Sequence, residues 1–324
     1  MKQQQNPKVS VIVLNWDGLK YIHECIDSVL KQTYTNIEIL FVDNASTDNS
    51  LIECKDRYKS ISFIENEENV GFAKGMNIGI DRATGNYILL LNTDVYLRED
   101  YISVCVNEFL KDDTLGCIAG YEYIWADYFL SGNQAFSGVY GLRKRLQITP
   151  TNIDSKFVFG VSGSFPMFSM RSIKDIIQAY GSFFDEEFGT GWEDNDLRFR
   201  YILRNWKTKL ANTIAWHVGS ASDRENKKLV DKSIEYQVRI FRNRFFIQKK
   251  YIATLFPCWN FQLYSLNLMI LFYYLLTTPR SSIAYVKGYI LYLKKLSYLN
   301  LQQKRILDAM IVNKKELLKY IIGF

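Results

Sequence analysis

Val9-Ser10-Val11-Ile12-Val13-Leu14-Asn15-Trp16-Asp17-Gly18 is an apolar, β-branched run that stops at a polar turn, the signature of a buried strand with a loop at its carboxyl end. Helical spacing follows over Tyr21 to Gln32 through Ile22, Ile26, Val29 and Leu30, and Ile37 to Val42 repeats the strand signature. The alternation continues with a loop over Asp43 to Asp48, a helix from Ser50 and a strand over Ile61 to Glu65. Beyond lie a helix over Lys74 to Ala83, a strand over Tyr87 to Leu91, a helix over Asp100 to Leu110 and a strand over Gly116 to Ala119. Strands alternating with helices predict an α/β fold built on a parallel sheet.

Open parallel sheets bind ligands at the carboxyl ends of their strands, so Asp43 and Asn92-Thr93-Asp94, which each follow a strand, are expected in one crevice. A dinucleotide fingerprint would need GxGxxG directly after the first strand, where this chain has Asn15-Trp16-Asp17-Gly18, and no phosphate-binding P-loop occurs. Further on, Trp192-Glu193-Asp194-Asn195-Asp196-Leu197 sets three acids beside an aromatic and precedes His217, one of two histidines. Transfer from a diphosphate-activated donor needs a divalent cation, held by oxygen and imidazole ligands, and a separate carboxylate to take a proton from the incoming hydroxyl. Both sets of groups are present. Taken alone, the acidic run also reads as an ordinary helix start, because carboxylates in a first turn complement the helix dipole.

With 324 residues, 48% hydrophobic and 15% aromatic, the chain can bury a large core. Five cysteines, an odd number without a CxxC pair, argue against a disulfide framework or a zinc site. The opening MKQQQNPK carries no apolar segment, which predicts a cytoplasmic location. The net charge of +6 comes largely from beyond residue 223, which points to an anionic surface as partner. Nucleic acid is not expected, for want of zinc-finger, RNA-binding or helix-turn-helix patterns.

From Tyr121 to Thr151 the alternation lapses, and the stretch, with Arg143-Lys144-Arg145, is predicted to be a loop-rich insertion. Gly160 to Arg171 reads as a glycine-flexed loop leading to a strand and then a helix from Ser172, placed to line an acceptor site. Residues 1–222 thus form one domain, and residues 223–324 a helical, basic C-terminal region. Within it Phe256 to Thr278 is the most apolar stretch, but Asn260, Gln262, Ser265 and Asn267 interrupt it. The remainder falls short of the roughly 20 residues of a spanning helix. Contact with a membrane surface is the expectation, with a buried or homodimer-forming helix, or a true span, as the alternatives.

VSVIVLNWDG, FVDNASTDNS, NVGFAKGMNIGI, LLLNTDV, GVSGSFPMFSMR, FFDEEFGTGWEDNDLRFR and AWHVGSAS form an ordered set between Val9 and Ser222. In that order they resemble glycosyltransferase family 2, of the GT-A fold, and most closely its rhamnosyltransferase-like branch. The resemblance implies a GT-A nucleotide-binding domain with a mostly parallel central sheet. It also implies a nucleotide-sugar donor, a UDP- or dTDP-sugar, with rhamnose as the branch's sugar. Asp43 would accept the imide N–H of the base, with Leu14, Asn15, Gly71 and Lys74 completing the pocket; the alternative for Asp43 is an Asx turn. The family's metal motif has two aspartates, and this chain departs from it with Asn92, Thr93 and Asp94. Asp94 and His217 would therefore hold Mg²⁺ or Mn²⁺, with Asn92 and Thr93 touching the donor; a packed core histidine is the alternative for His217. Asp194 matches the catalytic base of an inverting displacement, and Gly163, Trp192, Glu193 and Asp196 would meet the acceptor. His23 is expected on the surface. The implied acceptor is a hydroxyl of a lipid-linked oligosaccharide in cell-surface polysaccharide synthesis, at the inner face of the cytoplasmic membrane. A polyisoprenyl-phosphate sugar synthase and a non-catalytic nucleotide-sugar-binding protein are the other readings.

Overall fold

The computed structural model describes residues 6–124, 129–137, 142–148, 156–158, 160–161, 163–218 and 228–313. The Gly219 to Ser222 end of the last motif lies outside them, as does much of the expected insertion. The chain divides into two compact units: Met1–Ala135, Arg145–Gly189 and Trp206–Ser222 form the first, and Phe136–Lys144, Thr190–Asn205 and Asp223–Phe324 the second.

The first unit begins with β1 (Val9–Asn15), α1 (Ile22–Leu30), β2 (Ile37–Asp43), α2 (Ser50–Arg57), β3 (Ser62–Glu65), α3 (Gly71–Arg82) and β4 (Tyr87–Asn92). Then come β5 (Val95–Leu97), α4 (Tyr101–Lys111), β6 (Leu115–Ile124), β7 (Phe129–Ser137), β8 (Leu142–Ile148), β9 (Lys156–Val158), β10 (Met167–Ser169), α5 (Met170–Tyr180) and, later, β11 (Lys207–His217). The main sheet order is β3-β2-β1-β4-β10-β6-β11-β5. Val11, Ile12 and Val13 are wholly buried between two parallel neighbours, which explains the unbroken apolar run of β1. The pairing is parallel across β3, β2, β1 and β4, and again between β6 and β11, while β10 and β5 join antiparallel.

Two expectations change here. The stretch expected to be a loop-rich insertion carries strands β7 and β8, β7 pairing antiparallel with β6; glycines and aromatics at that density hid the period of two. Helix α3 starts at Gly71, three residues before the expected Lys74. Gly71 is left-handed at φ +81° and its N–H donates to Asn69 Oδ1 at 2.9 Å, so this glycine opens a helix rather than delaying it.

The second unit is helical: α6 (Glu193–Leu203), α7 (Ile234–Ile247), a π turn over Gln248–Ile252, then α8 (Ala253–Leu255), α9 (Asn260–Thr277), α10 (Pro279–Leu293) and α11 (Leu296–Ala309). Phe241, Phe245, Ala284 and Tyr285 form its apolar centre. A Cβ on Gly288 would lie 2.9 Å from the Val238 carbonyl oxygen, so only glycine permits the close approach of α10 to α7. Helix α6 is tied to the same bundle. Phe199 stacks on Tyr251 with centroids 4.3 Å apart, Arg204 donates to the Ala309 carbonyl at 2.7 Å, and Ile311 N–H donates to the Leu203 carbonyl at 3.0 Å. No described helix is long and apolar enough to cross a membrane.

A polar clasp closes the amino-terminal edge of the first unit's sheet. Glu38 on β2 pairs with Lys8 at 2.6 Å and accepts from the Ser10 hydroxyl and from Thr84 N–H at 2.8 Å. Partial burial opposes the charge on Glu38, but the bonds from Lys8, Ser10 and Thr84 outweigh it and hold its pKa at about 2, below the ordinary 4.5. A depressed carboxylate stabilises the fold above its unfolded pKa and loses that contribution as pH falls through its folded one. Glu38→Gln should therefore lower the melting temperature at neutral pH, and the gap from wild type should close as pH drops from 4.5 towards about 2 in a calorimetric series. A gap that persists unchanged at pH 2 would mean that shape, not charge, holds the clasp.

Candidate active site

Strand register sets the positions. Asn15 faces Asp43 across β1 and β2, and Leu14 faces Asn92 across β1 and β4, so three parallel strands end level with one another. The residues expected to bind a nucleotide therefore come together at one edge, as strand-end logic requires.

Asp43 is 2% exposed and heavily bonded. Its Oδ1 accepts from Asn15 Nδ2 at 2.8 Å and from Ser46 Oγ at 2.7 Å, and its Oδ2 accepts from Ser46 N–H at 2.9 Å. The Asx turn that the sequence offered as an alternative is thus present. Asn15 also donates to Ser50 Oγ at 2.7 Å, binding the end of β1 to the start of α2. Lys74 is exposed on the first turn of α3, and Ala73 N–H donates to the Gly189 carbonyl at 2.9 Å. Gly163 stands half-buried in a turn beside β4, because Asn92 N–H donates to the Ser164 carbonyl and Leu90 N–H to the Pro166 carbonyl, both at 2.9 Å. Helix α5 follows from Met170, with Ser169 capping it by accepting from Ser172 N–H.

Beyond Asn92 and Thr93, both half-buried, the chain turns into β5, which pairs antiparallel with β11 so that His217 faces Val95. That pairing sets His217 Nε2 at 3.2 Å from Asp94 Oδ2. On its other side His217 Nδ1 lies 2.6 Å from Glu122 Oε1, carried by β6. A carboxylate therefore stands at each ring nitrogen of His217. Burial alone would lower its pKa, but the bonds to Asp94 and Glu122 and their charges prevail and push it up to about 10. Glu122 was not legible in the sequence: it lies past Ala119, where the strand was expected to stop, and only the β6–β11 pairing reveals it.

The second unit carries the acidic run. Trp192 is left-handed at φ 73° just before α6, which begins at Glu193, so the helix-start reading holds locally. Asp194 is partly open, its Oδ2 accepting from Arg198 Nη2 at 2.7 Å and its Oδ1 from Asn195 N–H at 2.8 Å. Arg198 escaped notice in the sequence, although its spacing of four from Asp194 on a helix is a readable signal. Asp196 is a correction. At 1% exposed, its carboxylate is bonded to Arg200 at 2.7 Å, to Lys250 and to Tyr251 Oη at 2.8 Å, so it joins α6 to the π turn instead of meeting an acceptor. Trp192 and Glu193, each 8% exposed, are likewise packed inside. His23, expected on the surface, is half-buried between Tyr58 and Glu53.

Residues 10–177 match Glycosyl transferase family 2. Chondroitin synthase of Pasteurella multocida is 35% identical over 114 residues, 35% of this chain and 12% of that protein. The poly-beta-1,6-N-acetyl-D-glucosamine synthase of Staphylococcus epidermidis is 24% identical over 214 residues, 64% of this chain and 47% of its own. The chain thus spans less than half the length of either relative. Among solved structures, GalNAc-T7 with UDP, GalNAc and Mn²⁺ superposes with a TM-score of 0.59 at 17% identity, over 78% of this chain and 52% of that one. The mannosyltransferase PcManGT from Pyrobaculum calidifontis, in complex with GDP-Man and Mn²⁺, does so with a TM-score of 0.52 at 15% identity, over 94% and 86%. These likenesses show a common fold, a mixed α/β sheet of GT-A type with a helical C-terminal region. The chain belongs to glycosyl transferase family 2.

Proposed function

We propose that this chain is an inverting, cation-dependent glycosyltransferase of polysaccharide synthesis, moving a sugar from a uridine or deoxythymidine diphosphate donor to a hydroxyl of a lipid-linked glycan at a membrane surface. The observation that carries this reading is the arrangement of Asp94, His217 and Glu122 next to the level ends of β2, β1 and β4.

The residues present suit a hard divalent cation. Asp94 Oδ2 and His217 Nε2, 3.2 Å apart, are spaced like neighbouring ligands of one ion, and Glu122 on the far ring nitrogen supplies the carboxylate that orients a ligating histidine. Among the described residues no group of three or more acidic, histidine or cysteine side chains could hold a metal, so a cation here would take its remaining ligands from substrate phosphates and water, as Mg²⁺ and Mn²⁺ do in phosphate enzymes. Bound there, the cation supplies positive charge against a departing diphosphate. Asn92 contributes a neutral amide next to it, which suits contact with the donor better than ligation.

Asp194 accepts the proton of the acceptor hydroxyl as that hydroxyl attacks the anomeric carbon, and Arg198 holds its carboxylate in one orientation. Trp192 and Glu193 support the Asp194 turn from within, and Gly163 leaves room for an acceptor beside β4. Asp43 keeps an acceptor site on Oδ2 for a base imide N–H, since that oxygen receives one protein bond. The donor sugar is rhamnose if the branch resemblance holds; the relative named for N-acetyl-D-glucosamine makes an N-acetylhexosamine the competing candidate. Contact with the membrane falls to α9 and α10, whose exposed Leu268, Phe272 and Leu276 stand near exposed Arg280 and Lys287.

Three measurements bear on this. Asp194→Asn keeps the shape but cannot take the proton, so transfer should fall by roughly 10²–10⁴-fold with donor affinity nearly unchanged; activity within tenfold of wild type sinks the base assignment. Asp94→Ala and His217→Ala should each need far more Mn²⁺ for transfer, and Glu122→Gln should show a smaller shift of the same sign, about 10- to 100-fold in cation affinity. Titration curves that overlay wild type would remove the cation site. By calorimetry, uridine diphosphate should bind at least ~1.4 kcal/mol, or tenfold, better than cytidine diphosphate, because a carboxylate cannot donate to the cytosine ring nitrogen. Equal affinities would leave Asp43 a turn residue only.

A further inference from the structure

The second unit holds a cleft that none of the transfer chemistry uses. Its volume is about 340 Å³, and it opens between α7, the π turn, α9 and α10. That is at the small end of the ~300–1,000 Å³ typical of ligand pockets. Phe245, Leu263, Leu271, Val286 and Tyr289 give it apolar walls. Several of the neutral polar groups that line it are matched within the protein. Gln248 and Asn267 exchange amide hydrogen bonds at 3.4 and 3.0 Å, Tyr285 Oη donates to Asn267 at 3.1 Å, and Gln303 Nε2 donates to the Lys249 carbonyl at 3.0 Å. With Tyr264, Tyr289 and Tyr292 adding aromatic rings to the apolar walls, a guest meets mostly hydrocarbon, which favours an alkyl chain.

Two cations stand beside this apolar space, and among the described residues neither has a carboxylate within ion-pair distance. Lys249 lines the cleft. Arg244, on the last turn of α7, is only 8% exposed, lies behind the lining next to the cleft residue Phe245, and leaves its Nη2 buried with no hydrogen-bond partner. A guanidinium buried without a counter-ion is costly, and its planar fork suits a phosphate. Next to the cleft α9 exposes Leu268 and Phe272 at 68% and 62%, too much apolar surface on one helix to be left to water.

We propose that the cleft takes one hydrocarbon chain of an anionic phospholipid, drawn from the bilayer surface that the proposed function sets against α9, with Lys249 pairing with its phosphate and the charge of Arg244 behind it. The site is independent of the transfer chemistry, so Asp194→Asn should bind lipid as wild type does, which separates failure of this proposal from failure of the base assignment.

The test uses the full chain and a pyrene-labelled phosphatidylglycerol. Wild type should bind it saturably at a single site, and pyrene-labelled phosphatidylcholine at least ~tenfold more weakly. Leu271→Trp and Val286→Trp fill the cleft and should each weaken binding by at least ~tenfold; Val286 is 43% exposed, so the second variant is expected to fold even where the first does not. Leu301→Trp, on the exposed face of α11, should change nothing, and Lys249→Glu should erase the preference for phosphatidylglycerol. Unchanged binding in folded Val286→Trp, or equal binding of the two lipids by wild type, overturns the proposal. Displacement of the probe by farnesyl phosphate but not by unlabelled phosphatidylglycerol would overturn the phospholipid assignment in favour of an isoprenyl phosphate.

Discussion

Everything in the first unit depends on β1 being buried on both faces between two parallel partners. Parallel pairing in register brings the ends of β2, β1 and β4 level, and each chain must then turn at the same edge of the sheet. Those turns bring Asp43, Asn15 and Asn92 to one edge, where the Asn15–Asp43 hydrogen bond then ties two of them together. The apolar run from Val9 to Val13 is thus the cause of the polar site: had β1 been polar on both faces, its register would be weakly specified and the edge would not be level.

The cation site needs a second layer of pairing. Short β5 runs antiparallel to β11, and β11 runs parallel to β6, so His217 is set between an aspartate from one neighbour and a glutamate from the other. The two carboxylates hold the imidazole by both nitrogens, and together they fix the ring plane. A histidine tied by one nitrogen could rotate; one tied by two is already oriented when a cation competes for Nε2. The cost of burying two carboxylates and a histidine at a strand end is unlike anything a core would select for packing alone.

Much of this was readable in the chain. Periodicity placed β1, β2, β4 and their helices to within a few residues, and strand-end logic placed Asp43 and Asn92 at one edge of the sheet, because both inferences rest on local pattern. Glu122 and the strands β7, β8, β9 and β11 were not readable, since their place in the sheet depends on which distant segment docks where, whereas the short strand before α5 was expected from local pattern. Asp196 shows the reverse failure. It sits in the same acidic run as Asp194, yet two residues of spacing, about 200° round the helix, turn it towards Lys250 and Arg200 while Asp194 stays partly open. A run of like residues on a helix splits by face, and the sequence shows the run more plainly than the faces.

That split bears on why the helical C-terminal region exists at all. A buried cluster of Asp196, Arg200 and Lys250 is weak evidence for stability, because taking these charges from water offsets most of their attraction, and apolar residues of the same size would serve as well. What ion pairs with fixed geometry do provide is a single registry of α6 against the π turn, reinforced by the Phe199–Tyr251 stack, by the Arg204 guanidinium donating to the Ala309 carbonyl at the end of α11, and by Ile311 N–H donating to the Leu203 carbonyl. Helix α6 is eleven residues long and starts from a strained left-handed Trp192, so alone it would be marginal in water. The C-terminal helices supply the packing that α6 lacks. The residues that follow position 223 are therefore part of what holds Asp194, and cannot be regarded as an anchor appended to a finished domain.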